Sequence, residues 1–391
     1  MLNTWMLMLP FVVLVTGWFW DRNRQRQVND KQFKKLSREY FVGLNYLLNE
    51  QPDKAVDVFI KLLDVDDDTV ETHLALGNVF RRRGEVDRAI RVHQNLISQP
   101  QLTKSLRIEA LLALGHDYMR AGVLDRAEQL FLDVVETGQR SVHGLHSLLD
   151  IYQQEKDWDK ALNTAQQLTQ ISKNDMSIEI AHYYCEKAIQ AKSKGQFEAA
   201  KKFLREALKT NKHCLRASII QGDIKMSLGQ YKAALRAYKK IRLQDPEYIA
   251  EVVPSMAFCY EQLNTRHELV HYLHDCLKEF PYTDLVIHLA EQIQKLEGKQ
   301  AAADFMAEQL RKSSSIRGLD KLIELHLGAA QSYARDDLLI LKSLTTKLLE
   351  NKPWYRCQDC GFAGKQLHWQ CASCKKWSTV KPLHDVDGEN V

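Results

Sequence analysis

Residues 222–234 read GDIKMSLGQYKAA, and this short stretch decides the fold of the chain. A small residue, Gly222, stands twelve positions before a second small residue, Ala234, and Gly229 lies between them. Two antiparallel helices need small side chains where their backbones approach closely, and a residue such as glycine where the chain reverses. The stretch therefore predicts a pair of packed helices joined by a tight turn.

The same pattern recurs along most of the chain, in steps of 34, 38, 34, 39, 34, 35 and 34 residues. The second small residue of each copy is found at Ala55, Ala89, Ala127, Ala161, Ala200, Ala234 and Ala303, with Leu269 in the same place in one copy. The spacing predicts eight repeats over residues 36–317 and a capping helical pair over 318–352. The small and aromatic residues of this pattern are interpreted as packing residues. Departures at Leu149, Leu269 and Glu291 predict altered local packing in repeats four, seven and eight.

The repeats resemble the tetratricopeptide repeat, whose unit has 34 residues. Pro246 and Pro281 match its closing proline. The resemblance implies an all-α fold, an α-solenoid whose concave groove binds helices or extended peptides of partner proteins.

Four cysteines lie within the last 35 residues as two C-x-x-C pairs, Cys357 with Cys360 and Cys371 with Cys374. Two such pairs can place four thiolates around one tetrahedral ion, the arrangement that zinc and single iron ions adopt with sulfur. Disulfides would need an oxidising compartment and would not explain the twin pairs. The spacing therefore predicts a metal site with these four cysteines as ligands, and leaves iron and zinc both open.

The sequence around the first pair, YRCQDCGF at residues 355–362, resembles the first metal knuckle of rubredoxin. The resemblance implies a rubredoxin-like metal-binding domain that occupies residues 353–391 together with a tail. Gly361 suits a tight turn that directs backbone N–H groups at sulfur. The ten-residue gap between the pairs is shorter than in true rubredoxins, which favours a structural or docking role over electron transfer. Four aromatic residues are expected to pack around the centre or against the final repeats: Trp354, Phe362, Trp369 and Trp377.

The N-terminal residues have the character of a membrane anchor. Residues 2–20 carry no charge, and 19 residues at ~1.5 Å rise span ~28 Å, about one bilayer core. A basic segment follows, which predicts a transmembrane helix over 1–20 and a juxtamembrane segment over 21–35. In a Gram-negative cell the position of the basic segment predicts a single-pass inner-membrane protein with a periplasmic N-terminus and a cytoplasmic body. A cleaved signal peptide fits poorly, because no basic region precedes the apolar run and no cleavage site follows it.

The charge of the chain is concentrated near this anchor. Residues 21–40 have seven basic and three acidic side chains, a net charge of +4 that equals the net charge of the whole chain. The remainder therefore sums to about zero, and no nucleic-acid partner is expected.

One segment, HELVH at residues 267–271, has the H-E-x-x-H spacing of zinc metalloproteases. In the repeat frame Leu269 takes the buried alanine position, so His267 and His271 should face solvent. No phosphate-binding loop, nucleophile elbow or dinucleotide motif appears, and the chain is not expected to be an enzyme. Four single cysteines are interpreted as core residues: Cys185, Cys214, Cys259 and Cys276.

Taken in order, the anchor, basic segment, repeats and metal knuckles resemble the lipopolysaccharide assembly protein B family of Gram-negative bacteria over essentially the whole chain. The resemblance implies a non-enzymatic inner-membrane adaptor that regulates lipopolysaccharide biosynthesis. It further implies as partners the membrane-anchored ATP-dependent metalloprotease, the deacetylase that commits precursor to lipid A, and other lipopolysaccharide assembly proteins. In this family the protease degrades the deacetylase with the adaptor's help. The alternatives are a membrane-tethered, rubredoxin-like electron-transfer protein with iron at the centre, and a tethered scaffold for another assembly.

Overall fold

A computed structural model describes residues 67–138, 140–327, 332–350 and 352–384, with 41–46, 48, 49, 51, 54, 55, 57 and 58 of the first repeat. The predicted anchor at 1–20 and the basic segment at 21–35 lie outside these residues. Across the described ranges, none of the helices has both the length and the apolar character to cross a bilayer.

The described chain is mostly helical, and consecutive helices pair along the sequence as the 34-residue pattern predicts. The helices are α1 Asp67–Arg82, α2 Val86–Ile97, α3 Lys104–Ala121, α4 Leu124–Glu136, α5 Ser141–Glu155, α6 Trp158–Ser172, α7 Ser177–Ser193, α8 Phe197–Thr210, α9 Leu215–Ser227, α10 Tyr231–Tyr238, α11 Ile241–Gln244, α12 Ile249–Gln262, α13 Arg266–Glu279, α14 Thr283–Glu297, α15 Lys299–Lys312, α16 Ile316–Leu327 and α17 Ser332–Glu350. The chain divides into two units, Met1–Asp157 and Trp158–Val391.

In the first unit the small residues of the pattern are packing residues. Ala89 and Ala127 are fully buried. A Cβ atom added at Gly115 would lie 2.5 Å from the ring of Phe131, which is shorter than any van der Waals contact. The helices approach closely here only because residue 115 has no side chain.

The first unit also contains a buried polar cluster at the place where other repeats have an aromatic ring. His93 stands four residues after Ala89, and its ring fills the space next to Gly77. Its Nδ1 lies 2.5 Å from the Asp117 carboxylate, which also accepts a 2.9 Å hydrogen bond from Arg81. His93 and Asp117 are fully buried, so Arg81 supplies the charge that a buried carboxylate needs.

In the second unit the stretch that predicted the fold is packed in the same way. A Cβ at Gly222 would lie 2.3 Å from the ring of Tyr238, and the Tyr238 hydroxyl donates to Asp223 at 2.7 Å. After α10 the chain forms the short helix α11 and a 3-10 turn, Pro246–Tyr248. The Asp245 side chain caps that turn by accepting from the Glu247 N–H at 3.2 Å.

The repeats end in the helical pair α16 and α17. Asp320 on α16 holds the two helices together, because it accepts hydrogen bonds from Lys342 and Thr345 on α17, each at 2.7 Å. A different face of α17 leaves Ile340, Leu344 and Leu348 exposed to solvent.

The last described segment, residues 352–384, is called the C-terminal module below. It contains a three-stranded antiparallel sheet of β1 Tyr355–Cys357, β2 Ala363–Gly364 and β3 Val380–Pro382, in the order β2-β1-β3. In its register Tyr355 pairs with Gly364 on one side and with Pro382 on the other. The fold is thus a helical-repeat solenoid with a small C-terminal knuckle.

Candidate metal centre

The two cysteine pairs meet within the C-terminal module. All four Sγ atoms lie within 4.8 Å of one another, with Cys357 and Cys374 3.8 Å apart and Cys360 and Cys371 3.6 Å apart. Sulfur atoms bound at ~2.3 Å to one tetrahedral ion are ~3.8 Å apart. The observed spacing is close to that value. Among the residues that the structure describes, no other group of three or more potential ligand side chains converges in this way.

Both cysteine pairs are held in the same kind of turn. Gly361 follows the first pair with φ +74°, and Lys375 follows the second with φ +61°. In each turn this residue donates its N–H to the carbonyl of the first cysteine of the pair, at 3.0 Å for both Cys357 and Cys371. The glycine was recognisable from the sequence, whereas Lys375 adopts the left-handed region without being glycine, and its residue type gave no sign of it.

Hydrogen bonds lower the thiol pKa of two of the four cysteines, Cys357 and Cys360. At Cys374 the Lys376 N–H lowers the pKa, but contacts with the other three cysteines outweigh it and raise the pKa. Burial opposes ionisation of Cys357, but its hydrogen bond with the Thr379 hydroxyl and those from the Cys360 and Asp359 N–H groups lower its thiol pKa to about 6. The Phe362 N–H lowers the pKa of Cys360. A thiol must lose its proton to bind a metal, so these donors favour the binding form. The donor set and its geometry fit a zinc or iron ion.

The C-terminal module packs against helices of the second unit through two tryptophans. Trp377 stacks on His182 of α7 with ring centroids 4.7 Å apart, and Trp369 stacks on Tyr248 at 5.9 Å. Trp377 also meets Trp158 edge-on at 6.5 Å. These contacts fall on repeats four to six, so the expectation that the aromatic residues meet only the centre or the final repeats is wrong for Trp377.

A buried arginine lies beneath both tryptophans. The Arg216 guanidinium is 5.9 Å from the Trp369 ring centroid and 5.8 Å from that of Trp377, and it pairs with Glu186 at 2.7 Å. Such cation–π contacts contribute ~2 kcal/mol or more when they are removed from water. Burial, followed by the positive charge of Arg216, lowers the pKa of His182 to about 3. His182 is therefore neutral at physiological pH.

Directional hydrogen bonds set the position of the module on the repeats. Tyr248 donates to the Val380 carbonyl at 2.6 Å, and Tyr355 donates to Glu251 at 2.7 Å. The hydroxyl of Ser378 lies 2.6 Å from Nε2 of His182. At the edge Lys381 pairs with Asp245 at 3.2 Å and with Glu247 at 3.0 Å. Because these bonds come from three different helical pairs or their connections, they fix the orientation of the module on the repeats.

The other two aromatic residues of the module lie outside this stack. Phe362 packs beside the buried cysteines, as predicted. Trp354 is half exposed and lies under the Arg317 guanidinium, 5.0 Å from it.

The H-E-x-x-H segment lies on α13, away from the metal centre. Leu269 is fully buried, while His267 and His271 are exposed, as the repeat frame predicted. Nε2 of His271 lies 3.6 Å from Asp275, one turn along the helix. The four single cysteines are buried in the core, as predicted, and two of them, Cys185 and Cys214, are in sulfur contact at 3.8 Å.

Sequence reasoning missed the residues on the repeats that receive the module. His182, Arg216 and Tyr248 occupy ordinary helical positions, and their partners are far along the chain. The residue types could have indicated these positions, because an arginine and a histidine occur in helices that otherwise bury apolar residues.

The fold and the four-sulfur centre define a class: helical-repeat proteins with an attached rubredoxin-like metal-binding module. Residues 355–382 match the family model described as a rubredoxin metal binding domain, and residues 72–104 and 185–248 match models of the tetratricopeptide repeat. The repeats and the module favour a protein that binds other proteins.

The relatives identify the family within this class. The chain is 38% identical to Lipopolysaccharide assembly protein B of Escherichia coli strain K12 over 389 residues, which is 99% of this chain and 100% of that protein. It is 32% identical to the Haemophilus influenzae protein of the same name over 396 residues, with 99% and 100% covered. The chain belongs to the lipopolysaccharide assembly protein B family, as its sequence features predicted.

Solved structures resemble the repeats at low sequence identity. A tetratricopeptide repeat protein from Parabacteroides merdae is 16% identical, with a TM-score of 0.33 over 71% of this chain and 98% of that one. A MamA structure is 18% identical, with a TM-score of 0.30 over 45% of this chain and 91% of that one.

Proposed function

We propose that this protein is a non-enzymatic adaptor on the cytoplasmic face of the inner membrane that regulates lipopolysaccharide synthesis. It brings the lipid A-committing deacetylase to the membrane-anchored ATP-dependent metalloprotease and so promotes its degradation. The observation that carries this proposal is full-length similarity to proteins named Lipopolysaccharide assembly protein B, in a chain built of peptide-binding repeats.

The proposal assigns a structural role to the metal. Cys357, Cys360, Cys371 and Cys374 are its ligands, and the ion joins the two turns of a module whose own buried core is small. The joined turns hold Trp369 and Trp377 on the repeats, because both residues lie in or directly after the second half of the knuckle.

The N-terminal segment supplies the tether in this proposal. An anchor at residues 1–20 confines the repeats to the membrane surface on which the protease acts. Confinement raises the effective concentration of the two partners, to the order of millimolar for short tethers, so weak groove contacts are sufficient.

The test compares three chains in cells that lack their own copy: the full chain, a chain without residues 1–20, and the full chain with Lys278→Gln as a matched surface control. Deacetylase half-life is measured after synthesis is stopped, and the partners are captured from the same cells. The truncated chain should still capture the deacetylase but leave its half-life long, while the control behaves as the full chain. Normal deacetylase turnover with the truncated chain contradicts the tether.

Electron transfer is the second candidate, favoured by the exposure of Cys360 at the surface of the four-sulfur centre. An iron–thiolate centre absorbs visible light and should show a reversible reduction potential, whereas zinc does neither. Colourless, fully active protein excludes this candidate.

A further inference from the structure

The near-zero charge outside residues 21–40 conceals a strongly basic segment. Residues 192–242 contain fourteen lysines and arginines and only three aspartates and glutamates, a net charge of +11 in a chain whose total is +4. The segment covers α8, α9, α10 and α11 of the second unit. Such segregation of one sign of charge produces a field over one part of the surface.

The cations form two rows on neighbouring helical pairs. Lys201, Arg205 and Lys209 follow one another at four-residue intervals along α8, and Lys232, Arg236 and Lys240 do so along α10 and the turn after it. Residues four apart share one face of a helix and are separated by ~6 Å along its axis. Arg205, Lys209 and all three members of the second row are exposed. These six residues with Lys225 are called the basic face.

Lys225, at the end of α9, shows that the two rows converge. Its burial lowers its pKa, and the charges of Lys240, Arg236 and Lys201 lower it further. The two rows flank the helix that carries Lys225, because α9 packs against both α8 and α10. The basic face is therefore one cluster.

Few carboxylates neutralise this cluster. Glu198 pairs with Lys201 at 2.8 Å, and Glu206 lies 3.9 Å from Lys209. Within the described part of the chain, the other five cations of the basic face have no carboxylate within 4 Å. Unpaired cations repel one another, and an anionic partner removes that repulsion.

An exposed leucine at the edge of the basic face distinguishes between anionic partners. Leu243 on α11 is 84% exposed and lies between Lys240 and the 3-10 turn, with Arg242 beside it. Leu228, next to the end of α9, is 39% exposed. Exposed leucines beside rows of lysine and arginine are typical of surfaces that lie on anionic bilayers, where the cations meet phosphates and the apolar side chain enters the headgroup boundary. A purely polyanionic partner gives Leu243 no favourable environment.

We propose that the basic face binds the surface of an anionic phospholipid bilayer, with Leu243 inserted at the headgroup boundary. Six of the seven residues of the basic face lie on α8, on α10 or in the turn after α10, and Lys225 lies at the C-terminal end of α9. The C-terminal module contacts α7 and, on α9, Arg216 in the first turn. Lipid and module therefore occupy different parts of the same repeats. This proposal does not require the N-terminal anchor, because it concerns a second, electrostatic contact of the protein body.

The experiment uses the full chain in phosphatidylcholine nanodiscs, so that any anchor is already occupied. These nanodiscs are mixed with vesicles of phosphatidylcholine alone or with phosphatidylglycerol added, and binding is measured by co-sedimentation. Incorporation into the nanodisc reports on the anchor separately. A chain that stays in the aqueous phase refutes the anchor and is used directly in the vesicle assay.

Binding should require phosphatidylglycerol and weaken as salt is added. Arg236→Gln with Lys240→Gln should weaken binding about 30-fold, since each cation near an anionic surface contributes ~1 kcal/mol. Leu243→Ser alone should also weaken binding to the vesicles that contain phosphatidylglycerol. The matched control is Lys278→Gln with Lys312→Gln, which removes the same charge from α13 and α15, where each lysine pairs with a neighbouring carboxylate. All substituted side chains are exposed, and circular dichroism checks that each variant is folded.

Three results would overturn the proposal. The first is equal binding to vesicles with and without phosphatidylglycerol. The second is the same loss in the control variant as in the Arg236 and Lys240 variant. The third is that the protein fails to bind anionic vesicles but binds a mixed-sequence oligonucleotide or polyglutamate, and that this binding is lost in the Arg236 and Lys240 variant. That result would assign the basic face to another class of partner.

Discussion

Lowering the pH from about 7.5 to about 5 should weaken the contact between the C-terminal module and the repeats, because His182 is buried there as a neutral ring. The ring is stacked on Trp377 and contacts Ser378. A proton on His182 would place a second positive charge beside Arg216, in a site without access to water. The folded protein therefore resists protonation of this residue.

The size of the effect follows from the two pKa values of His182. The folded value is about 3, and the ordinary value of 6.5 applies to the unfolded chain. Between these values the unfolded chain binds a proton that the folded chain does not, so the free energy of unfolding falls as the pH falls below 6.5. At pH 5 the difference is ~1.5 pH units, which corresponds to ~2 kcal/mol.

The assay is urea unfolding of the full chain, followed by tryptophan fluorescence, for the natural protein and for His182→Phe. Phenylalanine keeps a ring on Trp377 but cannot titrate. Protonation of the cysteines and release of the metal affect both proteins alike. Burial raises the pKa of Glu251, which acts in the opposite direction and is also shared. The stability difference between the two proteins should change by ~2 kcal/mol from pH 7.5 to 5. Parallel pH profiles would refute the reasoning.

Three further outcomes follow from the packing and the metal centre. Tyr248→Phe removes the donor to the Val380 carbonyl and should cost ~1–2 kcal/mol in the same urea assay, because a buried acceptor loses its partner; no loss would mean that water replaces the hydroxyl. Gly222→Ala should lower the free energy of unfolding by ~1–3 kcal/mol, since its Cβ would lie 2.3 Å from the ring of Tyr238. Adding Tyr238→Leu to that variant should recover part of the loss, and two losses that simply add would contradict the contact. Cys371→Ser should abolish stoichiometric metal, measured by elemental analysis, and expose the tryptophans of the module to quenchers; full metal content would contradict the ligand assignment.

The helical repeats could be predicted from the sequence because their contacts are local. Gly222 meets Tyr238 sixteen residues later, within one repeat, so a fixed spacing of small and aromatic residues records the contact directly. The same frame correctly placed Leu269 in the core and the two histidines beside it at the surface.

Residues that depart from the repeat pattern were harder to interpret. His93 stands where Phe131 stands in the next repeat, and it brings Asp117 into the core with it. A histidine at an aromatic position does not reveal which carboxylate it will meet, because that partner comes from another helix. The left-handed backbone at Lys375 was equally hidden, since the residue type gives no indication of it.

The position of the C-terminal module on the repeats could not be predicted from spacing at all. His182 and Ser378 are 196 residues apart, and no periodic pattern links them. The basic face was hidden for a different reason: its positive charge is balanced by acidic residues elsewhere, so the sum over the chain is small. Both features depend on where charges and rings lie in space.

The long-range contact between Ser378 and His182 has a consequence for how the chain matures. Repeats of this kind form as they leave the ribosome, since each one depends on its neighbours alone. The strip around His182 and Tyr248 is complete 121 codons before Trp369 is translated and 129 codons before Trp377. Prematurely terminated chains therefore expose an aromatic strip that the C-terminal module covers in finished chains.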